Sequence, residues 1–296
     1  MSRFVSIDLA NLAATRRLSF DDALSFEDIA ARNIAEFATR MRNAGIPYDV
    51  DGLETDPAVI IQQAGSYAEL LVRQFAIDVG KSVLLPSARG NDLDHFVARL
   101  GVQRLEGESD ERLRARYLLA LEAFSTAGPT GAYVFHAMTA SNGVKDVAVY
   151  GPESELVDPG QVGVYVLSRV NSGAANEALL GLVEAALDDE DVRPLTDEVL
   201  VASAGIVTYD VEVKLKLGSG PSPEPFREAA QQRLLRLVND RHLIGAKVTL
   251  NALRGAAWQD GLVDIEVISP VADVTTTKTQ APWCSSLTVT WERVDV

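Results

Sequence analysis

The residues that most often carry chemistry in proteins are few in this chain. Three histidines, His95, His136 and His242, fall in three different predicted elements, and Cys284 is the one cysteine among the 296 residues. A zinc-binding pair such as HxxxH places two imidazoles on one helix face, and that spacing does not occur. A single cysteine also excludes an internal disulfide or a cysteine-based metal cluster. The sequence therefore predicts no metal site and no cofactor.

Motifs for nucleophilic catalysis and phosphate binding are also missing. No GxSxG, P-loop or GxGxxG occurs, and residues 218–221 (GSGP) are typical of a turn. Paired carboxylates such as Asp92 and Asp94 have counterparts in most acidic proteins, and these two suit a helix start better than a metal site. We expect that the protein is not an enzyme.

The charge balance is strongly acidic. The chain has 27 lysines and arginines against 42 aspartates and glutamates, a net charge of −15. Phosphate binding needs clustered cations that release counterions, so this balance argues against nucleic acid as a partner. The stretch 184–198 holds seven carboxylates and one cation, Arg193. It is either a solvated helix end and loop or an electrostatic contact for a basic partner surface.

Targeting and membrane signals are not found. The first residues, MSRFVSIDLANLAATRR, lack the basic start, apolar run and cleavage site of a secretory signal. The most apolar window, 57–85, is broken by polar and charged side chains, whereas a membrane span needs about 20 apolar residues. We expect no membrane contact, synthesis in the cytoplasm and no export by the general secretory route.

Helical periodicity dominates the first half of the chain, and the longest predicted helix spans 57–85, capped by Asp56. Its apolar surface is wider than one neighbouring helix can cover. Either the helices cover one another in a single bundle, or part of the long helix is an assembly surface completed by another chain. The other helices are predicted at 26–43, 91–100, 110–124 and 130–140.

The second half alternates strands with helices, so the predicted fold class is α+β: an α-helical N-terminal half followed by two small α/β modules with mixed sheets. The expected domains are 1–142, 143–204 and 205–296. The polar stretch 271–286 is typical of a long exposed loop or arm. Strands are predicted at 144–150, 162–167, 199–201, 206–217, 263–268 and 287–291, and helices at 177–187, 226–239 and from about 250 to 258.

Arginine and tryptophan positions suggest contacts. The helix at 110–124 is predicted to bury an apolar stripe that ends at Leu121 and Phe124, with Arg112 and Arg116 on the other face. Such arginines form buried ion pairs, inter-subunit contacts or simply solvated charge, and tryptophans serve as core or interface anchors. The candidate interface residues are Leu70, Leu71, Phe75, Arg112, Arg116, Arg193 and Trp283.

Seven short motifs occur in a characteristic order along most of the chain. Together they resemble the baseplate assembly protein J family, the baseplate wedge proteins of contractile-tailed bacteriophages and related particles. The motifs are GNDLD at 90–94, ESDERLRAR at 108–116, AGPTGAYVFHA at 127–137, VLSR at 166–169, EDVRPLTD at 190–197, GPSPEPFREAA at 220–230 and HLIG at 242–245.

This resemblance implies a virion protein of the tail baseplate, made and assembled in the host bacterial cytoplasm. Its copies would form a ring around the central hub and couple host contact to sheath contraction. It also implies partners: other copies of the chain, other baseplate wedge subunits, a sheath-initiator-like protein, the hub or spike, and a tail fibre connector. A peripheral receptor- or carbohydrate-binding module is the alternative. That class gathers aromatic residues on exposed loops, whereas here aromatics are 6% of the chain and mostly occupy periodic positions.

Overall fold

A computed structural model describes residues 24–48, 53, 55–124, 128–189, 192–194, 196–218, 220 and 222–294. These residues form two compact units, an N-terminal unit that ends at Gln103 and a C-terminal unit that begins at Arg104. The division differs from the boundary expected at residue 142. Two helices that we assigned to the N-terminal half, 110–123 and 130–140, belong to the unit that contains both sheets.

The N-terminal unit consists of helices whose starts follow from their caps. The Ser25 hydroxyl accepts from the Asp28 amide at the first helix, and the Asp56 carboxylate accepts from two amides at the second. The second helix ends three residues earlier than the sequence predicts, because the chain turns back and the Ser87 hydroxyl donates to the Lys81 carbonyl. The helices are α1 (Phe26–Asn43), α2 (Pro57–Ser82) and α3 (Gly90–Val97), which continues as a 3-10 turn over Ala98–Leu100.

Polar contacts set how α1 packs along α2. Arg32 of α1 lies 2.6 Å from the Glu69 carboxylate, and the Asn33 amide donates to the hydroxyl of the fully buried Ser66 at 3.0 Å. Arg73, one turn further along α2, adds a second ion pair to Glu69 at 2.6 Å. These contacts fix one side of α2 against α1.

The first sheet of the C-terminal unit is mixed. Strand β1 pairs antiparallel with β2, and β2 pairs parallel with β3. A parallel pair needs a crossover, and a helix supplies it here. The elements are α4 (Asp110–Ala123), α5 (Thr130–Ala140), β1 (Val144–Tyr150), β2 (Gln161–Ser168), α6 (Glu177–Leu187) and β3 (Glu198–Ser203).

Helices α5 and α6 cover one face of this sheet. The core between them is made of valines from the strands, Tyr133 and Ala137 from α5, and leucines from α6. Because these strands carry β-branched residues at alternate positions, one side of the sheet is apolar and accepts the helices.

The second sheet is centred on β4, where the expected alternation is confirmed. Five residues of one face, Tyr209 and the alternate positions to Leu217, are buried against α7. Strand β4 pairs antiparallel with β5 and parallel with β6, so this sheet is mixed too and the α+β fold class is confirmed. The elements are β4 (Gly205–Leu217), α7 (Glu224–Arg241), α8 (Leu250–Ala257), β5 (Leu262–Ser269) and β6 (Gln280–Arg293).

The exposed loop expected over 271–286 is wrong for its second half. Strand β6 begins at Gln280 and runs beside the whole of β4, with Ala281 and Pro282 buried. The first half is also attached, because Val274 bridges Val248 and the Thr276 hydroxyl donates to the Ala246 carbonyl. Strand β6 is an edge strand, where the side chains of Ser285 and Ser286 can face solvent.

Replacing Leu215 by alanine should destabilise the C-terminal unit by about 2–5 kcal/mol, because the side chain is fully buried in the centre of β4 and its loss leaves a cavity. All three tryptophans lie beyond Arg104, so their fluorescence during chemical denaturation reports this unit. The control is Leu182→Ala on the exposed side of α6, which should change the free energy of unfolding by about 0.5 kcal/mol or less. Equal effects of the two changes would contradict the assigned core.

Candidate assembly interface

An exposed apolar surface lies along one side of α2. We name Ile60, Tyr67, Leu71, Phe75 and Val79 the apolar stripe. These residues are spaced by seven, four, four and four positions, so they share one side of the helix. Their exposed fractions run from 48% for Val79 to 70% for Phe75.

The opposite side of α2 is the one packed within the N-terminal unit. Val59, Ser66 and Ile77 are buried there, and Leu70 is half-buried four residues beyond Ser66. Two of the candidate residues, Leu71 and Phe75, therefore belong to the stripe, whereas Leu70 lies on the packed side. Exposed apolar patches of this extent are typical of surfaces that bind another protein.

Arg112 and Arg116 are not at the surface. Their side chains are 3% and 1% exposed and share the carboxylate of Glu108, which is itself fully buried. Arg112 Nη1 lies 2.8 Å from Oε1, and Arg116 donates through Nε and Nη2 to both oxygens at 2.7 Å. The sequence suggests these arginines as interface residues, but the structure gives them an internal role. We name these three residues the buried ion triad.

The triad holds two further segments in place. Arg112 Nη2 donates to the carbonyls of Met138 and Ser141, at the end of α5, and of Val144, at the start of β1. Arg116 Nη1 donates to the Thr139 hydroxyl at 3.0 Å. Carbonyls at a helix end need such partners, so α4 is tied to the junction of α5 and β1.

The electrostatics of the triad favour the charged carboxylate. Burial alone raises the pKa of Glu108, but hydrogen bonds from Arg116, the Leu105 amide and Arg112 outweigh it and hold the pKa below its ordinary value of 4.5. Burial lowers the pKa of Arg112, and the contact with Glu108 opposes that shift. Arg112 Nε has no hydrogen-bond partner among the described residues.

The face of α4 that the sequence predicts as apolar is partly open. Leu113 is buried, but Leu121 and Phe124 are each 66% exposed, because the buried side of the helix is turned toward Arg112, Arg116 and Ala120. A side that contains two arginines is buried only because Glu108 and the carbonyls of α5 and β1 satisfy them.

The other two candidates differ in position. The Arg193 side chain is 39% exposed, and its Nη1 lies 3.1 Å from Oδ1 of Asp188. It is therefore accessible at the surface of the acidic stretch. Trp283 is half-buried on β6, and its ring lies 4.9 Å from the ring of His242.

The motifs AGPTGAYVFHA and EDVRPLTD contact each other, which the sequence did not predict. The Tyr133 hydroxyl donates to the Asp197 carboxylate at 2.7 Å, and burial, followed by this hydrogen bond, raises the pKa of Tyr133. Beside it, Gly128 has a φ of +59°, and a Cβ there would lie 2.6 Å from Cγ of Pro194. The motifs AGPTG and VRPLTD were the only sequence features that marked this contact. They could not show that the two segments meet, because 64 residues separate Tyr133 from Asp197.

Metal binding and membrane insertion find no support in the described ranges. Within them, no three His, Cys, Asp or Glu side chains lie together as they would around a metal ion. The helices of those ranges are also too short or too polar to cross a membrane.

Comparison with known proteins places these features in a family. Residues 54–109 match the baseplate J-like N-terminal domain, and residues 125–203 match the baseplate J-like central domain. The chain is also similar to baseplate protein J of Escherichia phage P2, with 36% identity over 252 residues, which are 80% of this chain and 82% of that protein. The first domain match spans α2 and Glu108, and the second spans α5 and the first sheet.

Glu108→Gln should destabilise the C-terminal unit by about 3–5 kcal/mol, because it leaves two buried guanidinium groups without a counter-charge. Tryptophan fluorescence during denaturation measures the change. The matched control is Glu111→Gln on the exposed side of α4, which removes only a favourable charge from the first turn of that helix, worth about 0.3–1 kcal/mol. A small effect at Glu108 would show that the triad does not hold the unit together.

Because Glu108 must be charged, the stability of the C-terminal unit should depend on pH. The pKa of Glu108 in the folded state is lowered below its ordinary value of 4.5. Its contribution to stability is therefore complete above about pH 4.5 and is lost as the pH falls through the folded-state pKa. The difference in unfolding free energy between the natural chain and Glu108→Gln should therefore shrink steadily from pH 5 to pH 3. A difference that stays constant over this range would contradict the charged triad.

Proposed function

Since this chain belongs to the baseplate J-like protein family, we propose that it is a wedge subunit of a contractile phage tail or tail-like particle. As a structural protein of the baseplate it acts through binding and shape, with no chemical step of its own. Several copies assemble with other wedge subunits into a ring around the central hub. This assignment is supported by the exposed apolar stripe on α2.

The stripe fits an apolar helix contributed by another baseplate subunit. Its residues follow helical spacing over five turns, from Ile60 to Val79, so a second helix laid along α2 can contact all of them. Covering one such side chain completely contributes about 1.5–3 kcal/mol. The side of α2 that faces α1 is already held by Glu69 and Ser66, so the partner binds without disturbing the unit.

The C-terminal unit supplies the surfaces for the remaining contacts of the ring. Its acidic stretch at 184–198, with Arg193 at the surface, suits a basic patch on a neighbouring subunit through charge complementarity. Candidates for these contacts are other copies of the chain, a sheath-initiator-like protein, the hub or spike, and a tail fibre connector. Shifts between such contacts would couple host contact to sheath contraction.

The paired change Leu71→Glu with Phe75→Glu should abolish assembly while the isolated chain stays folded. Glutamate is a good helix former and both positions are exposed, so the helix itself is not weakened. However, two carboxylates would be buried against the partner helix. The measurement is the mass of the complex after co-expression with the neighbouring tail proteins, together with circular dichroism of the purified chain.

The matched control is Gln74→Glu with Ala76→Glu, which adds the same charge to α2 at exposed positions outside the stripe. It should assemble as the natural chain does. Complexes of normal mass from the stripe variant would contradict the proposed role of α2. Loss of assembly in both variants would instead point to a general effect of charge.

A further inference from the structure

A buried histidine joins the two sheets of the C-terminal unit. His242 follows α7 directly and is 3% exposed. Its Nδ1 lies 2.8 Å from Nζ of Lys145 on β1, and its Nε2 lies 3.1 Å from the Ser172 carbonyl in the turn after β2. The turn approaches so closely that a Cβ on Gly173, whose φ is +95°, would lie 2.7 Å from Nε2.

These two contacts determine the protonation state of the ring. A carbonyl oxygen only accepts, so Nε2 must carry the proton and donate to Ser172. An ammonium group only donates, so Nδ1 must accept from Lys145 and carry no proton. The observed geometry is therefore that of a neutral imidazole beside a charged lysine. A second proton on the ring would place two cations in contact and remove the acceptor of Lys145.

Two neighbouring hydrogen bonds connect the same parts of the C-terminal unit. Two residues beyond His242, the Ile244 amide donates to the Asp146 carboxylate at 2.9 Å, again from the second module to β1. The Gly245 amide donates to the Gln280 carbonyl at 2.7 Å, which attaches the same segment to β6. Residues 242–245 are the HLIG motif, so the motif is the link between the sheets.

We propose that His242 is a proton-sensitive latch, which holds the two sheets together while its ring is neutral and releases them when the ring is protonated. The latch is a property of the isolated chain and does not rest on the proposed function in a baseplate. It gives the link between the sheets two states that differ by one proton.

The charges around the ring come from each element packed against it. On the first module, Lys145 faces Nδ1, Asp146 lies beside it, and Arg169 follows β2. On the second module, Asp240 of α7 attracts Lys145, and Trp283 of β6 presents its ring to the imidazole. The charge of Lys145 opposes protonation of His242. Arg169 in turn disfavours the charged form of Lys145, whereas Asp146 and Asp240 favour it.

The direction of the pH effect follows from these surroundings. Burial, and then the charge of Lys145, lower the pKa of His242 below its ordinary value of 6.5, while the Ser172 carbonyl opposes the shift. The latch is therefore intact above about pH 6.5 and weakens as the pH falls below it, because the open state takes up the proton first. Asp146 acts in the opposite direction, since burial raises its pKa and protonation then favours the closed state.

Hydrogen exchange at the Ile244 and Gly245 amides directly measures how often the contact between the two sheets opens. After correction for intrinsic exchange rates, the opening constant of the full chain should rise by up to about tenfold between pH 7.5 and 5.5. In His242→Gln it should change less than about twofold, because glutamine can donate to Ser172 and accept from Lys145 without titrating. Asp146 is present in both chains, so its contribution cancels in the comparison.

The control is His95→Gln in the N-terminal unit, an exposed histidine that should leave the tenfold rise unchanged. An opening constant that is independent of pH in the natural chain, or an equal rise in His242→Gln, would overturn the proposal. If the glutamine variant does not fold, NMR of the histidine ring protons in the natural chain decides. The proposal requires that His242 titrates together with the opening at Ile244 and fails if the two midpoints differ.

Discussion

The buried carboxylate of Glu108 lies between two guanidinium groups, and the packing of the helices on the first sheet depends on this contact. A buried charge is tolerated only when it is paired and its remaining hydrogen-bonding capacity is used. Glu108 meets this condition through Arg112, Arg116 and the Leu105 amide. Arg112 extends the network to three carbonyls where α5 passes into β1. One carboxylate thus fixes α4, α5 and β1 relative to one another.

Four of the seven motifs that resemble the family share this internal character. ESDERLRAR contains all three members of the triad, and AGPTGAYVFHA meets EDVRPLTD through Tyr133 and Asp197. HLIG links the two sheets through His242 and Ile244. These motifs therefore specify how the C-terminal unit holds its parts together. We propose that contact with partners falls to other surfaces, above all to the apolar stripe, where the residues need only be apolar and exposed.

Local patterns were sufficient to predict most of the secondary structure. The caps Ser25, Asp56 and Ser109 each accept from an amide of the helix that they start, and the alternation in β4 identifies its buried face. These features depend on residues within a few positions of one another. The wide apolar surface predicted for the long helix is likewise a local property, and the structure exposes one side of it.

The features that the sequence could not predict depend on distant residues. The arginine face of α4 is buried because carbonyls 26 to 32 residues away accept from Arg112, and no local pattern contains that information. The first half of β6, QAPWCSS, has no regular alternation of apolar and polar residues, and it is a strand because β4 lies beside it in parallel register. The interface assigned to Arg112 and Arg116 fails for the same reason, since their partners lie inside the unit.

We propose that another subunit covers the apolar stripe of α2 in the assembled baseplate. Hydroxyl-radical footprinting compares the free chain with the intact particle at single side chains, and Tyr67, Leu71 and Phe75 are all exposed in the free chain. The account predicts that oxidation of these three side chains falls severalfold on assembly. Equal oxidation in the free chain and in the particle would contradict it, because the stripe would then face solvent in both.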